Sequence, residues 1–171
     1  MTIQELERCI QLYGKDIYSF CMHLTKEKGS ADDLYQDTFL EATKKLAVIR
    51  YEDNPKSYLL SVAIRLWKNR VRKRAWRNRI APQVGETTLE QEGGATPDVS
   101  EKAVANEERG MLWKAIDALD DRYRIPILLY YMEEQSIAEL AELLSIPQGT
   151  VKSRLHKARQ LLEKELEDYY S

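Results

Sequence analysis

Residues 136–160, SIAELAELLSIPQGTVKSRLHKARQ, narrow the choice of folds more than any other stretch: they read as helix, tight turn, helix. Ser136 followed by Glu139 is a capping box, in which each side chain satisfies the other residue's backbone N–H. Ile137, Leu140, Ala141 and Leu144 give the first helix one apolar face. Ser145-Ile146-Pro147 interrupts it, because Pro147 has no N–H and disfavours the α conformation at Ile146. Pro147 can then open the second helix. There Val151, Leu155, Ala158 and Leu162 recur at four, three and four and share one side. Gly149, Ser153, His156, Lys157 and Gln160 therefore point away from the core. Lys152, Arg154, Lys157 and Arg159 lie in this helix, and no acid falls between Glu142 and Glu163. A short helix pair with a cationic outer face suits a DNA major groove. The plain alternative is a solvated helical hairpin.

The same periodicity predicts helices upstream. Leu6, Ile10, Tyr13, Ile17, Phe20 and Leu24 alternate at four and three, and Lys28-Gly29-Ser30 is expected to end that helix. Ser30 or Asp32 can cap a second helix with Tyr35, Phe39, Ala42 and Leu46 as its buried stripe. Asp53-Asn54-Pro55 starts a third, whose inner face is Leu59, Val62, Ala63 and Leu66. Farther on, Met111, Leu112, Ala115, Ile116 and Leu119 form another helical stripe. Residues 125–132 are almost continuously apolar. They are assigned to helix because no strand elsewhere could pair with them, and Pro126, tolerated only in a first turn, sets the start near Tyr123.

The net charge of −2 conceals strong segregation. Eight cations crowd residues 65–79 with no acid among them: Arg65, Lys68, Arg70, Arg72, Lys73, Arg74, Arg77 and Arg79. Such a cluster repels itself unless a polyanion is near, and its spacing suits phosphate neutralisation. Trp67 and Trp76 are interleaved, and an indole face can stack on an unpaired base or pack into a core. Residues 80–108 change character, with Pro82, Gly85, Gly93, Gly94 and Pro97, and seven acids against one lysine. This reads as a flexible acidic linker, with helix resuming near residues 99–106. About 25 disordered residues would average roughly 28 Å end to end and extend to about 80 Å. An inert spacer is the alternative to a tether that lets two modules grip separated sites.

Other classes are excluded by what is missing. The carboxylates do not cluster as a metal site requires, and there is no glycine-rich phosphate loop, so no enzymatic activity, metal or cofactor is expected. Cys9, Cys21 and His23 lack a C-x-x-C pair, and two cysteines make no disulfide framework. The first thirty residues carry charges throughout, and no segment approaches about 18 uninterrupted apolar residues. A cytoplasmic chain with no membrane insertion is expected.

SIPQGTVKSRLHKARQLL resembles the C-terminal promoter-binding module of bacterial sigma factors of the sigma-70 family, and ALDDRYRIPILLYYMEEQSIAELAELL resembles the start of that module. YGKDIYSFCMHLT and ADDLYQDTFLEATKKL resemble the family's polymerase-binding part. Two modules with only a linker between are similar to the extracytoplasmic-function (ECF) group. The expected architecture is all-α: residues 1–79 a region-2-like module, 80–108 the flexible acidic linker, and 109–171 a region-4-like helix-turn-helix module.

The resemblance implies an RNA polymerase sigma factor that binds core polymerase and directs promoter recognition and opening. Asp32, Asp33, Gln36, Asp37 and Phe39 would contact the clamp of the largest polymerase subunit. Arg65, Lys68, Asn69, Arg72 and Lys73 would hold the −10 element during strand opening. Gln148, Gly149, Thr150, Lys152, Ser153, Arg154, His156, Lys157 and Gln160 would meet the −35 duplex. Arg159, nearer the core edge, would be structural. An anti-sigma protein, soluble or membrane-bound, is the further partner implied. Many relatives carry Trp-Leu and Ala-Arg-Asn where this chain has Tyr58-Leu59 and Ala63-Ile64-Arg65, so the resemblance does not fix a −10 sequence. The rival is a stand-alone helix-turn-helix regulator binding duplex DNA as a dimer, which would leave the N-terminal module unexplained.

Overall fold

The structure, a computed structural model, describes residues 1–80 and 103–170, so the linker expectation lies largely outside the described residues. The chain divides into two compact units, taken here one at a time.

The first unit packs three helices: α1 (Ile3–Thr25), α2 (Lys28–Lys44) and α3 (Pro55–Ile80). Thr2 and Glu5 form a capping box at the start of α1. That helix ends earlier than Lys28-Gly29-Ser30 suggested. Lys26 adopts the left-handed conformation (φ 62°) and donates its N–H to the Met22 carbonyl at 2.8 Å, stopping the helix at Thr25. Left-handed backbone at a residue with a Cβ costs about 1–2 kcal/mol. The Thr25 hydroxyl, donating to the Cys21 carbonyl at 2.8 Å, helps fix the corner. Gly29 and Ser30 fall in the first turn of α2. Neither Ser30 nor Asp32 caps it: the cap position is Glu27, whose carboxylate accepts from the Ser30 hydroxyl at 2.7 Å and caps no backbone N–H.

The core of this unit is Ile17, Phe20, Cys21 and Leu24 from α1, Ala31, Leu34, Thr38 and Ala42 from α2, and Leu59, Leu60 and Ala63 from α3. Of the expected α2 stripe, Phe39 and Ala42 are buried and Tyr35 is half-buried, while α2 ends at Lys44, before the half-buried Leu46. Thr38 can be buried because its hydroxyl donates to the Leu34 carbonyl at 2.7 Å. Tyr35 fills the margin between α1 and α2, edge-on to Tyr18 and Phe39 at centroid distances of 5.5 and 4.9 Å. A Cβ at Gly14 would stand 3.0 Å from the Tyr35 hydroxyl, so the absence of a side chain there sets how closely the ring approaches.

The second unit contains α4 (Ala103–Ala118), α5 (Asp121–Ile127), a π-helical turn (Leu128–Met132), α6 (Ile137–Leu144) and α7 (Gln148–Tyr170). Of residues 99–106, where helix was expected to resume, 103–106 are helical and 99–102 lie outside the described residues. Residues 125–132 are helical, as anticipated, but α5 begins two residues before Tyr123. Asp120 sets that start by accepting from the Arg122 N–H at 3.0 Å, which leaves Pro126 in the second turn. The chain then widens into the π turn, whose Leu128 and Leu129 are buried beside Ile125 and Ile127. Arg124 is buried as well, with Nε and a terminal nitrogen donating to Asp121 Oδ1 at 3.0 and 2.8 Å.

Arg122, through its backbone N–H and then its guanidinium, holds the Asp120 carboxyl below the ordinary aspartate range. A depressed folded-state pKa stabilises the fold above the unfolded value, and that contribution is lost as pH falls through the folded value. Acid titration from about pH 4 downward should therefore fray the start of α5, and Asp120→Asn should remove that pH dependence. Amide exchange of residues 121–124 across this range checks it.

Candidate nucleic-acid interface

The helix-turn-helix forms as its sequence dictates. Ser136 Oγ accepts from the Glu139 N–H at 3.1 Å while Glu139 Oε2 accepts from the Ser136 N–H at 2.8 Å. Such a cap contributes about 1 kcal/mol. Ser145 takes the left-handed conformation (φ 55°) that closes α6, and the Ile146 N–H reaches back to the Ala141 carbonyl at 3.0 Å. Pro147 is the residue before α7 rather than its first: its carbonyl accepts from Thr150 and Val151 at 3.0 and 3.1 Å. The Thr150 N–H is therefore spent inside the helix. Gln148 and Gly149 are the first-turn residues left to offer N–H groups to an anion. A Cβ at Gly149 would meet nothing within 4 Å, so the first turn is open to close approach.

Val151, Leu155 and Ala158 are buried and anchor α7. Lys152, Ser153, His156, Lys157 and Gln160 are all exposed on the opposite side, and Arg154 is half-buried on the flank. The Ser153 hydroxyl donates to the Thr150 carbonyl at 3.0 Å, which leaves its oxygen free to accept. Arg159 is tied down, as its position near the core edge implied. Its Nε donates to the Tyr131 hydroxyl at 2.6 Å, and its guanidinium lies 5.8 and 5.5 Å from the Tyr130 and Tyr131 ring centres. These contacts join α7 to the π turn.

In the first unit, α3 divides in two. Leu59, Leu60, Val62, Ala63 and Ile64 are buried, whereas every residue from 71 to 80 is exposed. At 1.5 Å per residue, those ten residues project about 15 Å. Arg65, Lys68, Asn69, Arg72 and Lys73 are all exposed. Arg65 approaches Glu41 of α2 at 3.7 Å, and Arg70 donates to Asp37. Trp67 is half-buried with its indole N–H enclosed, which favours the packing role for it.

The five α2 residues do not act as a set. Asp33, Gln36 and Asp37 share the exposed face. Asp32 is half-buried and accepts from the Tyr18 hydroxyl at 2.6 Å, an interaction that raises the Tyr18 pKa. Phe39, expected both in the buried stripe of α2 and at the polymerase contact, is buried against Tyr35, which favours the first of the two places. Leu40 was not anticipated. It is 57% exposed and continues the Asp33, Gln36, Asp37 face at helical spacing. Its sequence signal was an apolar residue in register with acids rather than with the core.

Cys9 and Cys21 are both buried and stand twelve residues, about 18 Å, apart along α1. Burial, reinforced by Glu5, pushes the Cys9 thiol up. Among the described residues no group of three or more His, Cys, Asp or Glu could hold a metal ion, and no helix is long and apolar enough to cross a membrane.

Two family models match, sigma-70 region 2 over residues 9–77 and sigma-70 region 4 over residues 109–162. ECF RNA polymerase sigma factor SigW of Bacillus subtilis (strain 168) is 30% identical over 163 residues, spanning 93% of this chain and 87% of the relative. The chain belongs to the ECF RNA polymerase sigma factors. Another relative of this sigma factor, SigM of the same organism, is 30% identical over 164 residues, covering 95% of this chain and 94% of SigM. The fold is also that of the sigma factor RpoE of Bartonella quintana, solved in complex with the anti-sigma factor NepR. That match has a TM-score of 0.78 at 21% identity and covers 96% and 98% of the two chains. This sigma factor is thus a transcription-initiation factor with region 2 in its first unit and region 4 in its second. A stand-alone dimeric regulator is not favoured, since region 2 would have no place in it.

Proposed function

We propose that this sigma factor recruits core RNA polymerase through the exposed α2 face, reads the −35 duplex with α7 and holds the opened −10 region with α3. The carrying observation is the division of α7 into a buried stripe and an opposed polar, cationic face. Lys152 and Lys157 suit guanine acceptors in the major groove, and Ser153 is short enough to lie against a base edge. Gln148, Gly149 and Thr150 bring the start of α7 to a phosphate. His156 and Gln160 lie toward the groove, and Arg154 lies to its side. On α3, Arg65, Lys68, Arg72 and Lys73 take phosphates, which position without specifying, and the Asn69 amide takes a base edge. Binding energy gained on the unpaired strand offsets the cost of opening it.

On α2, Asp33, Gln36, Asp37 and Leu40 supply the polymerase contact. Acids and an amide around one apolar side chain suit a clamp surface presenting arginines. The factor works in the cytoplasm and is held inactive by an anti-sigma protein that covers one or both modules. The segment between α3 and α4 tethers those modules.

Run-off transcription with core polymerase on a promoter pool tests the whole reading. Transcripts that depend on the factor are expected. Tight duplex binding without polymerase, and no new transcript, would overturn it. Ser153→Ala and Lys152→Ala should each reduce discrimination between matched and scrambled −35 sites by about 5- to 150-fold. Arg72→Ala should weaken all sequences alike and flatten the salt dependence by about one phosphate contact. Competition binding at several salt concentrations separates the two classes. Leu40→Ser should weaken association with core polymerase while thermal unfolding changes by no more than about 0.5 kcal/mol.

A further inference from the structure

We propose that Trp76 is a stacking platform for an unpaired base, extending the single-strand site of α3 beyond Asn69. The inference rests on the promoter-opening role proposed above. Trp76 is 64% exposed, in a stretch where every neighbour is exposed too. A buried tryptophan hides about 150–250 Å² of surface, so an indole left in water contributes little to this fold. Trp67 offers the contrast, half-buried with its N–H enclosed.

Position gives the second argument. Arg65, Asn69, Arg72, Trp76 and Arg79 follow one another at four, three, four and three residues, so one face of α3 carries them in line. Trp76 lies one heptad past Asn69, about 10.5 Å along the axis. That distance spans about three nucleotides stacked at 3.4 Å each. Charge supplies the third. Arg65 and Arg70 have acidic partners on α2, but Arg72, Lys73, Arg77 and Arg79 have none among the described residues. An aromatic face ringed by uncompensated cations fits a polyanion that also presents flat π surfaces, and single-stranded nucleic acid is such a ligand. A protein partner would have to bring acids instead.

The experiment uses holoenzyme assembled from core polymerase and full-length factor on a promoter fragment. 2-Aminopurine replaces one non-template base at a time, and run-off transcription is followed on the same templates. With the unsubstituted factor, one position should be quenched in the open complex. Trp76→Phe should keep that quenching. Trp76→Leu and Trp76→Ala should restore emission there several-fold and weaken the open complex about 5- to 150-fold. Equal quenching with Trp76→Leu and Trp76→Phe would make the contact merely apolar and overturn the proposal. So would normal transcription with no position responding to any Trp76 variant. A lack of transcript from the unsubstituted factor would bring down the promoter-opening role, and this inference with it.

Discussion

The first unit depends on burial along the leading half of α3. Leu59, Leu60, Val62, Ala63 and Ile64 are held between α1 and α2, and each large apolar side chain removed from water contributes about 1.5–3 kcal/mol. That anchorage lets the same helix run on into ten exposed residues crowded with like charge. Without it, mutual repulsion among the cations would favour fraying, since an isolated helix of this length is marginal in water. Two links from α2, Arg65 to Glu41 and Arg70 to Asp37, relieve part of the repulsion where the helix leaves the core. Beyond them the charge has no counterpart among the described residues.

The second unit solves a related problem differently. Its recognition helix also has one committed face and one uncommitted face, but the orientation is set at several points. Val151, Leu155 and Ala158 fix its rotation, the left-handed Ser145 fixes the turn before it, and Arg159 pins its flank to Tyr131. A side chain meant to meet a base edge must be held to a fraction of an ångström, and a rigid helix achieves this better than a loop. The phosphate-facing cations of α3 need no such precision, because charge acts over several ångströms.

Where apolar spacing was unambiguous, the sequence alone was a good guide. The capping box at Ser136, the buried side of α7 and the start of α3 at Pro55 could all be read from it. It misled where polar atoms were satisfied locally. Thr38 is missing from the expected α2 stripe because its hydroxyl bond to its own helix is invisible in a hydrophobic pattern. Phe39 was read both as core and as polymerase contact, and its burial against Tyr35 favours the core, whereas Leu40 was overlooked. The end of α1 was missed because lysine gives no warning of left-handed backbone. Pro126 pointed to a late helix start, whereas the Asp120 cap imposed an earlier one and the π turn took up the irregularity. Ion pairs between α2 and α3 join residues dozens of positions apart, beyond the reach of any local rule.

The two cysteines bear on how such a molecule can be followed in solution. Both thiols of the chain lie in α1 and are closed off from solvent, and the second unit has none. A thiol reagent can react only after the first unit opens, so where reclosing outpaces the reaction its labelling rate measures that opening free energy. Because the second unit is silent to the reagent, the stability of one half can be recorded while the other is engaged with DNA. Burial that arose from packing therefore provides a built-in clock for the breathing of a single unit.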